Sequence, residues 1–513
     1  MFGSNNTLTY GLRVAALLLL VIGIASRVAP LADHDGRLLR QFPSEDGYLM
    51  LTMGRNLALG KGLSVADGTM ATNGTQPLAT FVWAGAFAAA DGDKRAGVFN
   101  VLALSVLIGA VGAVLVFVLA RRLLPDASVA LLAAALWFAS TITLAHTMNC
   151  LETGLYLVFV VLTILAYTRW LRADDHTRGI GSSMAIGALL GVTFWVRNDA
   201  VFLTAALCGA RLVHRAGQRQ AFREAFYAAA TALIIAAPWL AFNVMRFGHI
   251  VPVSGRTESQ DFVFARNLSL LPSKLAEYLL PIVDIPAAVE KSAAGAVAAT
   301  VVVAAVLVIA ALLRRRLSAE ARQIVTVYVL FLSGLGGYYG LYFGAPWFVS
   351  RFLFPVSPFL IVVGLGVAMF GVSRLPPRPM RLAVPAVLAA LVVHQAWSNV
   401  ERYRNGTKHT HFQVVEWVDN NVEDEQWVGA IQTGTLGFFH DRTINFDGKV
   451  NVDALESRLA GYHHQYIVDS PIEFFADWAG FVFWKDSRIF GSRFELIVED
   501  HERNLAVFRR RRS

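Results

Sequence analysis

The chain has 513 residues, 55% hydrophobic and 16% charged, with a formal net charge of +8. Soluble domains carry about 25% charged residues, so this composition excludes an ordinary soluble protein and points to a multi-spanning membrane protein with a soluble piece. The arginines sit in short loops between apolar runs, which is the positive-inside pattern and argues against nucleic acid as a partner.

Apolar runs of about 17–25 residues predict transmembrane helices. In chain order they fall at 11–31, 96–119, 127–145, 153–169, 181–196, 199–212, 224–244, 293–313, 323–343, 352–372 and 382–399. The first exceeds the roughly 7–15-residue core of a signal peptide and reads as a retained helix. Residues 78–90 are apolar but too short to span, and read as an amphipathic or half-inserted surface helix. The two cysteines, Cys150 and Cys208, lie in or beside apolar segments, and no spacing resembles a disulfide framework, a zinc site or a redox motif.

With the N-terminus inside, one assignment places sixteen arginines in five inner loops: Arg121 and Arg122; Arg169, Arg172 and Arg178; Arg211, Arg215, Arg219 and Arg223; Arg314, Arg315, Arg316 and Arg322; Arg374, Arg378 and Arg381. A single miscounted helix would scramble that alternation. The outer side then receives 32–95, 145–152, 197–199, 245–292, 344–351 and everything after 400. These segments hold nearly all the unusual polar motifs. The expectation is a bacterial plasma-membrane protein with a cytoplasmic N-terminus and an active surface facing the periplasm or cell exterior.

After residue 400 charge and aromatics become frequent. HFQVVEWVDNNV (411–422) has a helical pattern, and WVGAIQ, TLGFF, QYIV, FVFW and FELIVE read as short strands. The division expected is a membrane domain over 1–399, including the outer loop 32–95, and an extracytoplasmic α/β domain over 400–513. The run Arg509 to Arg512 reads as a solvated tail, with lipid headgroups as the alternative.

Glu45 and Asp46 directly follow the first span. An acidic pair at a membrane surface needs water, a partner or a task. A general base must lie within hydrogen-bond reach of the proton it removes; in an adjacent pair one carboxylate takes the proton while the other orients it or binds a cation. The plainer reading is helix N-capping, since Ser44, Glu45 and Asp46 precede a helical stretch over 47–59. The two readings are compatible.

Further along, Asn73, Thr75 and Gln76 form a polar turn able to donate to a sugar or phosphate, although turn chemistry alone explains it. His146, Asn149 and Glu152 cluster at the outer end of the third span, where an acid at a helix start is also favoured by the helix dipole. Arg197 and Asp199 most simply form an ion pair that shapes a cavity. Arg246 and His249 lie near the exit of the seventh span, with Arg256 in the loop beyond. Arg351 starts the tenth span between aromatics. Arginine offers a planar fork suited to phosphate, whereas a lone arginine at a membrane edge commonly snorkels to headgroups.

Taken together these pieces resemble the GT-C superfamily of membrane glycosyltransferases, in the branch of protein mannosyltransferases, aminoarabinose transferases and mycobacterial arabinofuranosyltransferases. The acidic pair is Glu45-Asp46. An R-N-x-A-x-G-x-G-like run follows as Arg55-Asn56-Leu57-Ala58 and Gly60-Lys61-Gly62, and a T-N-P-L-like turn as Thr75-Gln76-Pro77-Leu78. Cys150 to Tyr156 matches a G-M-E-T-x-L-Y-like motif, Arg197-Asn198-Asp199 an R-P-D-like motif, and Asp447-Gly448-Lys449-Val450-Asn451 a D-G-x-V-N motif. The chain departs from the family in having Glu-Asp for Asp-Asp, Cys150-Leu151 for Gly-Met, and Asn198 for proline.

The resemblance implies a GT-C fold: an α-helical polytopic membrane protein of about eleven spans with a C-terminal extracytoplasmic α/β domain. It implies an inverting transfer of a sugar, arabinofuranose or a related pentose or hexose, from a polyprenyl-phosphate donor to a glycan, lipid or protein acceptor. Asp46 is then the base with Glu45 in support. Arg351, helped by Arg246 or Arg256, holds the donor phosphate. Asn73, Thr75, Gln76, His146, Asn149, Glu152, Arg197, Asp199 and His249 line the substrate site. No cofactor is required; a divalent cation near Glu45 or Glu152 is compatible, although the spacing carries no metal signature. The competing reading is a lipid-linked sugar transporter or flippase, which would favour inverted repeats and helices broken at the midplane. Neither is evident in the sequence. A third reading is an assembly subunit whose polar motifs are caps and headgroup anchors.

Overall fold

The computed structural model describes residues 6–33, 37–172, 179–215, 217–260, 262–281, 292–313, 317–374, 376–406 and 411–512. The membrane part opens with α1 (Asn6–Ala32). A layer of short elements follows: α2 (Glu45–Ala58), the hairpin β1 (Ser64–Val65) and β2 (Met70–Ala71), and α3 (Pro77–Ala88). The bundle continues through α4 (Lys94–Leu123), α5 (Ala127–Ala139), α6 (Thr141–Met148), α7 (Thr153–Arg172), α8 (Ile180–Val196), α9 (Ala200–His214) and α10 (Arg219–Phe247). Short helices α11 (Val253–Glu258) and α12 (Leu271–Leu279) lead to the long helices Ala293–Leu313, Ala319–Leu341, the segmented run Pro346–Val372, and Pro377–Asn405.

Among the described residues, 8 helices are long and apolar enough to cross a membrane. α5 and α6 pass the same test as one span bent by 60°, and α8 and α9 are shorter apolar helices. Together they account for every apolar run expected from the sequence. The bend between α5 and α6 interrupts the helical ladder, and backbone groups left unpaired in hydrocarbon cost several kcal/mol each. Arg27 of α1 answers it: fully buried, its Nη1 donates to Phe138 O at 2.7 Å and Gly23 O at 2.9 Å, and its guanidinium lies 3.9 Å from the Phe138 ring centre. α8 packs on α10 through glycine: a Cβ on Gly187 would meet Ala228 O at 2.4 Å, and one on Gly191 would meet Ile235 Cβ at 2.6 Å. Small residues let membrane helices approach this closely.

At one end of the bundle Glu320 pairs with both Arg122 and Arg172, and Arg211 pairs with Glu224 at 2.6 Å, so arginines expected in separate inner loops meet on one face. Arg178, Arg314, Arg315 and Arg316 lie outside the described residues. The short apolar helix expected over 78–90 is α3, with Phe81 exposed on one side. α3 sits between α2 and α4, buries Ala79, Trp83, Ala86 and Phe87, and the Trp83 indole donates to Cys150 O at 3.1 Å. Cys150 and Cys208 are both free.

Residues 411–512 form a 5-stranded sheet in the order β4-β3-β5-β7-β6, built from β3 (Val428–Ala430), β4 (Thr443–Asn445), β5 (Phe474–Asp477), β6 (Phe494–Asp500) and β7 (Leu505–Arg510). β3 runs parallel to β4 and β5, while β7 runs antiparallel to β5 and β6. The helix expected over 411–422 is Phe412–Asn421, and strands occur within WVGAIQ and FELIVE. The other three expected strands are helical: TLGFF lies in Gly434–Phe439, QYIV in His463–Asp469, and FVFW in a 3-10 segment. Short apolar runs do not distinguish the two states by periodicity, and here docking on neighbours selects helix. The run Arg509 to Arg512 is not wholly a solvated tail. Arg509 and Arg510 end β7, Arg509 pairs with Glu495 at 2.7 Å, and Arg510 donates to the carbonyls of Val468, Ser470 and Ile472.

This C-terminal unit shares a hydrophobic core with the layer formed by α2 and α3. Phe412, Phe438 and Val450 pack with Tyr48, Leu51, Met53 and Trp83.

Candidate active site

Ser44, with its side chain accepting from Gly47 N at 3.0 Å, is the N-cap of α2. That leaves the carboxylates of the first turn free for other partners. The start of α2 is pressed against the loop after α6: Ser44 donates through N and Oγ to Asn149 O, both at 3.3 Å, and a Cβ on Gly47 would lie 2.1 Å from the same carbonyl.

Glu45 turns toward the C-terminal unit. Its Oε1 accepts from Gly434 N at 2.5 Å, and its Oε2 from Thr435 N at 3.1 Å and Thr435 Oγ1 at 2.5 Å. His411 Nδ1 lies 3.5 Å from Oε2, and His411 Nε2 lies 3.7 Å from Asp477 Oδ1, with the imidazole stacked on Trp478. Burial opposes ionisation of Glu45, but His411 and Thr435 outweigh it and hold the carboxyl below its usual range. Burial likewise opposes protonation of His411, yet Asp477 and Glu45 raise it to about 9.

Asp46 turns the other way, into a cavity of about 620 Å³. Arg351 Nη1 donates to Asp46 Oδ2 at 3.1 Å, and Lys449 Nζ lies 3.6 Å from Oδ1. Burial opposes the charge, but Lys449 and Arg351 prevail and the carboxyl sits below its ordinary range. Lys449 also pairs with Glu258 at 2.8 Å. Asp447, two residues away, is pushed up to about 6 by burial.

The cavity has two characters. Its polar end is lined by Asp46, Thr75, Gln76, Glu152, Arg197, Asp199, Glu258, Arg351 and Lys449. The rest is mostly apolar, with Leu190 and Phe194 of α8, Val201 and Phe202 of α9, and Ala229, Ala232, Leu233, Ala236 and Leu240 of α10, while Asn198, Thr204, Ser254, Tyr338 and Tyr339 add polar atoms. The α10 stripe from 229 to 240 extends about 16 Å along the helix axis. Arg197 is buried among carboxylates, with Asp199 Oδ2 at 3.2 Å and Glu152 Oε1 at 3.7 Å; Tyr339 donates to Asp199 at 2.8 Å. The arginine-aspartate pair expected from the sequence is thus present and joined to Glu152. Among the described residues no group of three or more His, Cys, Asp or Glu side chains is placed to hold a metal ion. Glu45 and Glu152, the carboxylates considered for a divalent cation, are engaged by Thr435, His411 and Arg197, so the residues present do not fit one.

Several residues expected in the substrate site do not line this cavity. Asn73 is fully buried and holds the scaffold, donating to Asn243 Oδ1 at 3.1 Å and accepting from Val253 N at 3.0 Å. Asn149 accepts from Leu151 N in its own turn. His146 contacts Ser350 Oγ at 3.2 Å and does not line the cavity. Arg246 and His249 are exposed past the lining, and Arg256 pairs with Glu456 at 2.8 Å. Lys449, Glu258 and His411 join the site without a role expected from the sequence. The D-G-K-V-N run carried a signal for the first; the other two had none.

Residues 77–242 match the family model described as dolichyl-phosphate-mannose-protein mannosyltransferase. No curated protein sequence matches the chain. In structure it is similar to ArnT from Cupriavidus metallidurans bound to undecaprenyl phosphate, at 12% identity over 96% of this chain and 97% of that one, TM-score 0.58. It is also similar to the archaeal oligosaccharyltransferase AglB from Archaeoglobus fulgidus in complex with an inhibitory peptide and a dolichol-phosphate, at 12% identity over 95% of this chain and 71% of that one, TM-score 0.56. The fold is the GT-C fold, a polytopic helical bundle with a small C-terminal sheet.

Proposed function

We propose that this GT-C chain is an inverting glycosyltransferase that moves a sugar from a polyprenyl-phosphate donor to an acceptor hydroxyl at the outer face of the membrane. The observation that carries the reading is the Asp46–Arg351 pair at the polar end of a cavity whose remaining lining is mostly apolar. A lipid-linked phosphosugar has matching halves: an apolar chain for the α8–α10 wall and an anionic, hydroxyl-rich head for the polar end. The family-model match and the lipid phosphates bound by ArnT and AglB support the same donor class.

In this reading Asp46 is the base. The acceptor oxygen attacks the anomeric carbon and its proton passes to an Asp46 oxygen. The bond from the anomeric carbon to the phosphate oxygen breaks, and its electron pair leaves with the phosphate. The transition state resembles an oxocarbenium ion. The leaving phosphate needs positive charge rather than a proton, and Arg351 supplies it. Arg351 Nε is buried and has no hydrogen-bond partner among the described residues, so donors remain beside the one given to Asp46. Glu45, saturated by the C-terminal unit, acts by holding α2 in place. Thr75, Gln76, Glu152 and Asp199 border the space for the sugar. Motif resemblance favours arabinofuranose or a related pentose or hexose, with a glycan, lipid or protein as acceptor. The arginine bias favours a cytoplasmic N-terminus, with 1–399 as the catalytic membrane domain and 400–513 outside.

The test is transfer by purified protein from a panel of polyprenyl-phosphate sugars, with donor binding followed in parallel. Wild type should transfer, and Asp46→Asn should bind donor without transferring. Wild type that moves the lipid across vesicles and never transfers its sugar would replace this reading with the transporter.

A further inference from the structure

A second cation reaches Asp46, and it comes from the far end of the chain. Arg351 and Lys449 hold opposite oxygens of one carboxylate, and both lie over one ring: the Arg351 guanidinium is 4.3 Å and the Lys449 ammonium 5.4 Å from the Phe348 centroid. Lys449 is set there by its backbone. Its N donates to Asp447 Oδ1 at 2.6 Å, and Thr257 Oγ1 donates to Gly448 O at 2.8 Å. Gly448 has φ +91, a conformation glycine adopts without strain, and a Cβ on Gly74 would lie 2.2 Å from Lys449 O. The lysine side chain is 17% exposed and lines the cavity.

The charges around the cavity can be counted. Arg197 is committed to Glu152 and Asp199. The remaining charged groups are Asp46, Glu258, Arg351 and Lys449, which sum to zero. A phosphodiester arriving with one negative charge therefore meets cations whose charge is already balanced by carboxylates, although Arg351 keeps an unused donor at Nε. It can be matched only if they are shared or moved. A carboxylate with a cation at each oxygen is also poorly placed to take a proton.

We propose that Lys449 is a second cation for the donor phosphate, and that Arg351 and Lys449 shift from Asp46 onto that phosphate when the donor binds, freeing Asp46 to receive the acceptor's proton. The inference rests on the donor class argued above. It makes binding ordered, donor before acceptor. It also makes the C-terminal unit part of the donor site, since the lysine is absent unless that unit is docked.

The test uses the full chain in lipid nanodiscs, titrated with undecaprenyl phosphate and, as the uncharged control, undecaprenol. Lys449→Met should weaken phosphate binding roughly tenfold or more, as expected for one charge-assisted contact, and leave undecaprenol binding unchanged. Lys449→Arg should restore most of the loss. Asp46→Asn and Glu258→Gln each remove an internal competitor for the cations and should leave binding equal or tighter. Wild-type affinity in Lys449→Met overturns the proposal. So does weakened binding in Glu258→Gln, which leaves the lysine in place and would mark the pair as a strut. If wild type binds undecaprenyl phosphate no better than undecaprenol, the donor class itself falls along with this assignment.

Discussion

Glu45 and Asp46 are adjacent in the chain and serve opposite sides of the same helix turn. Glu45 accepts three hydrogen bonds from Gly434 and Thr435 of the C-terminal unit, while Asp46 faces the cavity between Arg351 and Lys449. One carboxylate docks the unit and the other meets whatever enters. The first prediction follows from that division. Asp46→Asn should lower sugar transfer about 10²–10⁴-fold, the range for a lost general base, with only a modest fall in melting temperature from the lost pairing with Arg351 and Lys449. Glu45→Gln should lower the melting temperature more, by the equivalent of about 1–3 kcal/mol for lost charge-assisted contacts, with a smaller loss of transfer. Melting curves and initial rates on the two variants separate the roles; the reverse pattern would exchange them.

Arg351→Ala should cost about 3–4 kcal/mol of transition-state stabilisation, read as a 10²–10³-fold fall in transfer. Arg351→Lys should recover part of it, since an ammonium keeps the charge and loses the planar fork. A full recovery by lysine would show that charge alone matters at this position.

The pH behaviour should have two limbs with separate causes. In the free protein Lys449 and Arg351 hold the Asp46 carboxyl below the usual range, so transfer at low donor concentration, which reports the free enzyme, should persist into mildly acid pH and fall only below the ordinary carboxylate range, as the base protonates. His411 has its folded pKa raised to about 9. The stability it contributes is complete below its unfolded value of about 6.5 and is lost as pH rises through about 9, to a limit of roughly 3 kcal/mol. Melting temperature should therefore decline on the alkaline side, and His411→Gln should flatten that decline. An equally steep decline in the variant would assign it to another group.

Gly74 and Gly434 are contact points of the C-terminal unit, where a Cβ would sit 2.2 Å from Lys449 O and 1.9 Å from Glu45 O. Alanine at either should force the backbones apart, at about 1–3 kcal/mol for overpacking, and expose the unit to limited proteolysis. Gly85 lies within α3 with nothing within 4 Å of its Cβ position; Gly85→Ala should leave stability equal or up to about 1 kcal/mol higher. Equal proteolysis of all three variants would remove the docking argument.

Arg197→Met should cost about 3–5 kcal/mol, because Glu152 and Asp199 would be left as buried uncompensated charges. Restoring the balance with Asp199→Asn in the same chain should recover part of the loss, measurable by thermal unfolding in detergent.

What the sequence by itself determined is the bundle and the inventory of polar groups. Long apolar runs have one way to satisfy their backbone in lipid, so α1, α4, α7, α10 and the later spans could be read directly, and the motifs from Glu45 to Arg351 could be named. Tertiary structure alone decided which groups meet. The directions in which Glu45 and Asp46 point depend on a helix turn and on partners about 390 residues away, beyond any local pattern. Asn73 has the same chemistry in a scaffold as in a substrate site, and only its burial against Asn243 and Val253 distinguishes them. TLGFF became helix because it docks on α2, and short apolar runs carry no periodicity to reveal that. Lys449 reaches Asp46 because Gly74 lets two backbones touch. Hydropathy is a property of each segment, whereas electrostatic pairing depends on distance in space, and the fold sets that distance.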